Sequence, residues 1–390
     1  MQRSRPHRVT GVRTLPFRVC YNRMASHPAD DMENTENTED TEDTYKRGTS
    51  PMIEDSTLPL SQGAVTRLIS EALSRWGIES SSATVIRHNE NLACRVDGPD
   101  GSKYLLRICL PRTARWIGMQ QDLDALRSEL LWIEALRRTT GLRLQRPVPS
   151  QRGEEIEEIP HPDTGKPVPC MLLTWIDGEM FTQKEAESEA LAREFGRVQA
   201  MFHAQSRSWR PPDGFRRLIY DEAALAAALP EMERGAGSGI IRPEDILMVR
   251  KTSLALLDLM TSLPRTPKTW GMIHADWVGN LVVTSVSPPS MVPIDFSLSG
   301  FGYYLFDLAI GVCNLKQHLR QAYLEGYGAQ LSEEEQLQVS GFILTIIFLS
   351  AARNVFNPEW RDWFQSRRLP VIAQKHCAQF LRGEPFLFEV

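Results

Sequence analysis

An α+β fold of two lobes is what this 390-residue sequence predicts, with a small antiparallel-sheet lobe first and a larger helical lobe after it. Three observations carry that expectation. Short β-patterned segments cluster between residues 82 and 178, with one helical segment among them. From residue 183 onward helical periodicity dominates. At 42% hydrophobic residues the chain is long enough and apolar enough to fill two lobes.

The elements follow in order. The first 29 residues hold six arginines and no acid, and "ENTENTEDTEDT" (33–44) repeats a polar, acidic triplet. Such a stretch cannot bury enough apolar surface to offset its ordering entropy, so residues 1–55 are expected to be a disordered extension. Its arginine-rich start fits a mitochondrial transit peptide or an upstream extension ahead of Met24 or Met32, and both stand open beside a cytoplasmic location. "AVTRLISEALSRWG" (64–77) has helical spacing and a glycine stop. "SATVIRH" (82–88), "NLACRVD" (91–97) and "KYLLRICL" (103–110) read as strands, with a hairpin turn at "DGPDGS". A helix is expected over 122–141, ending at Gly141, then a polar hairpin-like insert (151–169) and a strand at "MLLTWIDG" (171–178). Helices are expected over 185–206 and 244–263, then short strand–loop elements at "HADWVGNLVV" and "MVPIDF", then helices to the end. The apolar run "GFILTIIFLSAA" (341–352) is too short to span a bilayer and reads as a buried core helix.

Composition excludes some function classes. A formal net charge of −5 gives no general reason to expect nucleic acid or an anionic membrane as partner. Six scattered cysteines without a C-x-x-C pair make a poor disulfide framework and a poor zinc site. No Walker A pattern occurs, and the glycines of "GAGSG" (235–239) lack a leading strand, so they read as a flexible loop.

What carries chemistry is a set of parts in order. Arg107 lies in a strand, Glu129 on the next helix, Asp276 and Asn280 in a loop, and Asp295 after an apolar strand. Phosphoryl transfer needs this inventory: a cation on the nucleotide phosphates, a carboxylate that holds the cation, an aspartate that accepts the hydroxyl proton, and an asparagine and second aspartate for magnesium. Each part alone has an ordinary structural explanation, and the ordered combination is what points to a kinase site.

Over roughly residues 60–385 the chain resembles the aminoglycoside phosphotransferase and choline kinase superfamily, which shares the protein-kinase-like fold. "ENLACRV" (90–96) is similar to the strand–turn–strand that lies over ATP there, which makes Asn91 a nucleotide contact by resemblance. "YLLRI" and "SELLWIEALR" resemble the phosphate-holding strand and its helix, with Arg107 and Glu129 as the ion pair. "MLLTWIDG" resembles the hinge that takes the adenine, implying Leu173 and Trp175. "MIHADWVGNLVV" resembles the catalytic loop, with Asp276 as base, and "IDFSLSGFGYYLFDLA" (294–309) the magnesium segment, with Asn280 and Asp295 as ligands. His274 and Asp307 are expected to support loop and helix. "YLEGYG" (323–328) fits a bacterial-type branch of the family. The resemblance implies ATP and Mg2+ as cofactors, residues 56–174 as the nucleotide-binding N-lobe, and residues 175–390 as the catalytic and substrate-binding C-lobe.

The family loop reads H-G-D-x-x-x-x-N, and here only Trp277, Val278 and Gly279 separate Asp276 from Asn280. The loop is one residue short, which turns Asn280 away from the metal unless Gly279 absorbs the change. Ala275 replaces the family's glycine and reads as a mild change. Three functions compete on the sequence: a kinase acting on a hydroxyl of a small molecule, a Ser/Thr protein kinase, and a pseudokinase that binds nucleotide or a partner without turnover. The acceptor is weakly encoded. Trp277 is expected to border its pocket, with Tyr303, Tyr304, Trp360 and Trp363 as further aromatic candidates, and aromatic faces suit an amine.

Overall fold

The computed structural model describes residues 60–88, 90–98, 100–110, 122–181, 188–277, 279–366 and 368–389. The N-terminal extension, with its expected disorder and transit peptide, lies outside them. The fold is the expected α+β one: an antiparallel sheet with two helices against it, then a body of helices with two small sheets.

Helix α1 (Gln62–Ser74) is capped by Ser61, whose side chain accepts from the Ala64 N–H. Strands β1 (Ala83–His88), β2 (Leu92–Asp97), β3 (Lys103–Ile108), β4 (Glu157–Pro160) and β5 (Pro167–Thr174) form one sheet in the order β1-β2-β3-β5-β4, antiparallel throughout. Strand alternation sorts its faces. Leu92, Cys94, Val96, Leu106 and Ile108 join Leu68, Ile69, Ala72 and Leu73 of α1 in one core. The opposite face of β3 presents Leu105 and Arg107. Helix α2 (Leu123–Thr140) lies between β3 and β4 in sequence, capped by Asp122 and stopped by Gly141 at φ 71°.

The second part contains α3 (Glu189–Ser208), α4 (Glu222–Gly237), α5 (Pro243–Ser262), α6 (Tyr304–Asn314), α7 (Arg320–Tyr327) and α8 (Glu333–Asn354). Strand β6 (Glu179–Met180) pairs with β9 (Leu281–Val286), which also pairs with β10 (Pro289–Pro293). Strand β11 (Gly300–Tyr303) lies between β7 (Leu218–Tyr220) and β8 (Trp270–Ile273). Two expectations change. The "GAGSG" stretch is no free loop, since Gly235–Gly237 close α4 and Gly235 lies against the Val355 side chain. The run at 341–352 belongs to a 22-residue helix, long and apolar enough by length and composition to cross a membrane. Its burial rests on packing instead: Val339, Phe342, Ile343, Ile347 and Phe348 lie inside the main core. Among the described residues the cysteines are all buried and none is in a disulfide.

The "YLEGYG" motif proves to be a helix-docking device. A methyl carbon at Gly326 would overlap the Arg193 carbonyl, and one at Gly196 the Tyr323 carbonyl, so α3 and α7 touch backbone to backbone. Tyr323 donates its hydroxyl to Gln199 Oε1, and Tyr327 bonds His203 Nδ1 at 2.6 Å. Gly326→Ala should therefore lower stability by about 1–3 kcal/mol, although alanine is the better helix former. Denaturant unfolding checks it, and an unchanged or raised midpoint contradicts the close approach.

Candidate functional site

The loop after β8 is hung from a single buried carboxylate. Asp307, in the first turn of α6, accepts the backbone N–H of His274 at 3.0 Å and of Ala275 at 2.8 Å. His203 Nε2 meets the same carboxylate at 3.2 Å. Burial pushes the Asp307 carboxyl up, but the His203 bond and the neighbouring imidazoles outweigh it and hold it below the usual range. Burial lowers the pKa of both histidines, favouring the neutral rings. The partners then assign the His274 tautomer: Nδ1 accepts from Asp276 N at 3.3 Å, so Nε2 donates to Ile294 O at 3.2 Å. The expected supporting role of His274 and Asp307 thus has a concrete geometry.

The short loop is closed by two left-handed residues. Ala275 has φ 63° and Gly279 φ 69°. Gly279 adopts this at no steric cost, while an alanine there is strained by roughly 1–2 kcal/mol. The Ala275 substitution is therefore less mild than the sequence suggests. With the loop so turned, Asn280 Nδ2 donates to both the backbone oxygen and Oδ2 of Asp276, each at 2.8 Å. Asn280 points at Asp276 rather than away from it, and its remaining Oδ1 is the atom suited to a hard cation.

Asp295 follows β10 and is also left-handed, φ 59°. Its Oδ1 accepts from Ser297 Oγ at 2.8 Å, and its Oδ2 meets Arg87 Nη2 at 2.9 Å. Burial raises its carboxyl, but Arg87 and Arg107 hold it below the usual range. Asp276 lies well above that range, through burial first and then the charges of Glu90 and Asp295. Glu90, buried beside the cleft, is pushed up to about 7 by burial and by Asp295. Three carboxylates thus share a site short of positive charge. Among the described residues no group of three or more His, Cys, Asp or Glu is arranged to hold a metal alone. Oxygen donors from Asp295 and Asn280 fit a magnesium-like ion, which takes one or two protein ligands and completes its shell with water and phosphate.

Across the cleft, Arg107 Nη1 donates to Glu129 Oε1 at 2.7 Å, with both side chains buried. Its Nε and Nη2 are buried without a hydrogen-bond partner, and beside Glu129 the guanidinium also meets the Cys109 thiol, a weak acceptor, and the charge of Asp295. Buried unpaired donors are costly, and on a guanidinium they fit phosphate oxygens. Asn91 Oδ1 is buried and unpartnered too. Leu173 is buried inside β5, paired with Leu105, and Trp175 follows the strand end, its N–H on Lys103 O at 3.2 Å and its ring under Arg95.

Sequence reasoning missed Arg217. It donates to Glu129 Oε2 (3.4 Å), Ala125 O (3.1 Å), Phe296 O (2.8 Å), Ser297 O (2.7 Å) and Ser299 O (2.8 Å). It ties α2 to the segment after Asp295, and nothing in "FRRLIY" separates it from Arg216. Glu90 and Arg87 were also passed over. One expectation is corrected: Trp277 does not border a pocket. It is fully buried against Phe195, Phe202 and His274, with ring centroids 5.6, 5.2 and 4.7 Å away. Tyr303 and Tyr304 are buried as well. Trp360 and Trp363 are half-buried and face each other.

A sequence model of the phosphotransferase enzyme family matches residues 82–339. Amicoumacin kinase of Bacillus subtilis (strain 168) is 23% identical over 254 residues, 64% of this chain and 68% of that protein. A solved amicoumacin kinase with AMP-PNP and Ca2+ bound superposes with a TM-score of 0.63 at 17% identity, over 84% of this chain and 95% of the other. A microcompartment-associated aminopropanol kinase gives 0.64 at 20% identity, over 81% and 96%. At these identities the structural likeness speaks for the fold. The strained loop generates its own test. Ala275→Gly should raise stability by about 0.5–1 kcal/mol, the relieved strain less the glycine's greater backbone entropy when unfolded. Thermal unfolding reads this, and a lowered Tm contradicts it.

Proposed function

This chain belongs to the phosphotransferase enzyme family, and we propose that it transfers the γ-phosphate of ATP to a hydroxyl of a small, amine-bearing metabolite. The observation that carries the proposal is the facing pair of half-satisfied sites. Arg107 presents buried, unpaired donors, and Asp276, Asn280 and Asp295 meet them with oxygen donors and excess negative charge. In this reading residues 56–174 hold the nucleotide, with Asn91 at its covering turn and Leu173 and Trp175 at the adenine. Residues 175–390 supply the catalytic and acceptor groups.

Each residue then has a task. Arg107, held by Glu129, receives phosphate oxygens. Asp295 and the Oδ1 of Asn280 hold Mg2+, which when bound supplies neutralisation of charge on the transferring group. Asp276, oriented by Asn280 and by the His274 ring behind its N–H, accepts the hydroxyl proton as the new bond forms. Its raised affinity for a proton falls as positive charge arrives beside it. Glu90, whose charge reaches Asp276, offers the amine of the acceptor an anionic partner. This replaces the aromatic argument that the burial of Trp277, Tyr303 and Tyr304 removes. Support from the relatives is chemical: those reported above include kinases of amicoumacin and of aminopropanol.

ATP turnover over a panel of amino alcohols, aminoglycosides, neutral alcohols of matching size and a generic protein substrate tests this. Amine-bearing acceptors should lead, and Glu90→Gln should erase their advantage. Asp276→Asn should cut kcat by about 10²–10⁴-fold. Nucleotide binding with background turnover throughout, unchanged in Asp276→Asn, would establish a pseudokinase instead. Preferred turnover of the protein substrate would establish a protein kinase.

A further inference from the structure

Strand β1 has a fault in its register, and the fault sits beside the site. Ala83, Thr84 and Val85 pair in step with Val96, Arg95 and Cys94, and the register then slips, so that Arg87 stands opposite Ala93. Ile86 is the extra residue. In an unbroken strand residue 87 would share a face with Ala83 and Val85, which pack toward the α1 core. A bulge of one residue reverses that, and bulges recur where a side chain must be re-aimed. Arg87 accordingly reaches Asp295, a residue 208 positions away in the chain and beyond the sheet.

The row across the sheet extends the point. Arg87 stands opposite Ala93, and Ala93 stands opposite Arg107. Two arginines therefore flank one alanine on the same face, at roughly 10 Å for two strand spacings. Ala93 is too small to fill the space between them. Arg107 offers unpaired Nε and Nη2 at one side of this slot. Arg87 closes the other side, and its side chain is 42% exposed, so it is free to swing. Its present partner, Asp295 Oδ2, is the oxygen a divalent cation would take.

We propose that Arg87 is a second nucleotide phosphate contact, and that its pairing with Asp295 is the resting arrangement which metal–nucleotide binding exchanges. The inference rests on the phosphotransferase reading above. The guanidinium stands in for the cation on Asp295. When the ion takes Oδ2, Arg87 is released toward the slot and closes on phosphate oxygens opposite Arg107. No covalent step is involved. The bulge and the alanine are parts of the same device, one aiming the arginine and the other leaving room for the ligand.

The test compares wild type, Arg87→Gln and Arg87→Lys in three equilibrium titrations: MgATP, adenosine, and Mn2+ alone followed by electron paramagnetic resonance. Thermal unfolding without ligand controls for folding, which a half-exposed side chain should not affect. Arg87→Gln is expected to weaken MgATP by about tenfold, the scale of one charge-assisted hydrogen bond at a partly exposed site, and to leave adenosine unchanged. Arg87→Lys should recover part of the loss. Mn2+ alone should bind Arg87→Gln more tightly than wild type, because its competitor for Asp295 is gone. MgATP affinity within twofold of wild type in Arg87→Gln overturns the proposal, as does an equal loss for adenosine or an unchanged Mn2+ affinity. Failure of the wild type to bind MgATP at all would instead sink the phosphotransferase reading, and this inference with it.

Discussion

Glu129 sits buried between two arginines, and the cleft is organised around that imbalance. One carboxylate faces two guanidiniums, so the group carries a net positive charge inside the protein. Burial of charge is expensive unless each donor is met. Arg217 is met: four backbone carbonyls and Glu129 take its N–H groups. Arg107 is met at one arm only, and the surplus charge and the open donors coincide on the same side chain. An anion with several oxygens resolves both at once. The same triad connects three parts of the fold, because Arg107 is in the sheet, Glu129 on α2, and Arg217, just before β7, bonds the segment after Asp295.

Behind the opposite wall, Asp307 plays the complementary part. It gathers two loop N–H groups and the His203 ring, and His203 is in turn fixed by Tyr327 of α7. The glycine contacts that bring α3 and α7 together therefore reach the loop through three hydrogen-bonded steps. Left-handed backbone at Ala275 and Asp295 is tolerated because these anchors over-determine it, which is the usual setting for strain near a site. The loop's missing residue is accommodated in this way, with Gly279 turning where a longer loop would run on.

Much of this was legible in the sequence. The helix expected over 122–141 with its Gly141 stop is α2, and with it came the place of Glu129. Order along the chain assembled Arg107, Asp276, Asn280 and Asp295, which the fold does bring to one cleft. What stayed hidden depends on three-dimensional detail that spacing does not encode. Trp277 looked like a pocket residue because it follows Asp276, yet it turns into the aromatic core. Arg87 was concealed by a one-residue bulge that reverses the face read from alternation. Arg217 makes its bonds to carbonyls, which carry no sequence signature. The helix at 333–354 was misjudged on length because its polar first turns extend a short apolar run.

On the proposed function, Arg107 is held half-satisfied for a phosphate rather than kept for stability. Arg107→Met conserves most of the volume and leaves Glu129 its bond to Arg217. Thermal unfolding of this variant, with and without MgATP, separates the two roles most directly. A ligand that binds only the folded state raises Tm according to its affinity. A single cooperative transition without ligand is expected, with loss of the MgATP-induced rise expected of the wild type. A variant that keeps the full MgATP-induced rise would contradict it.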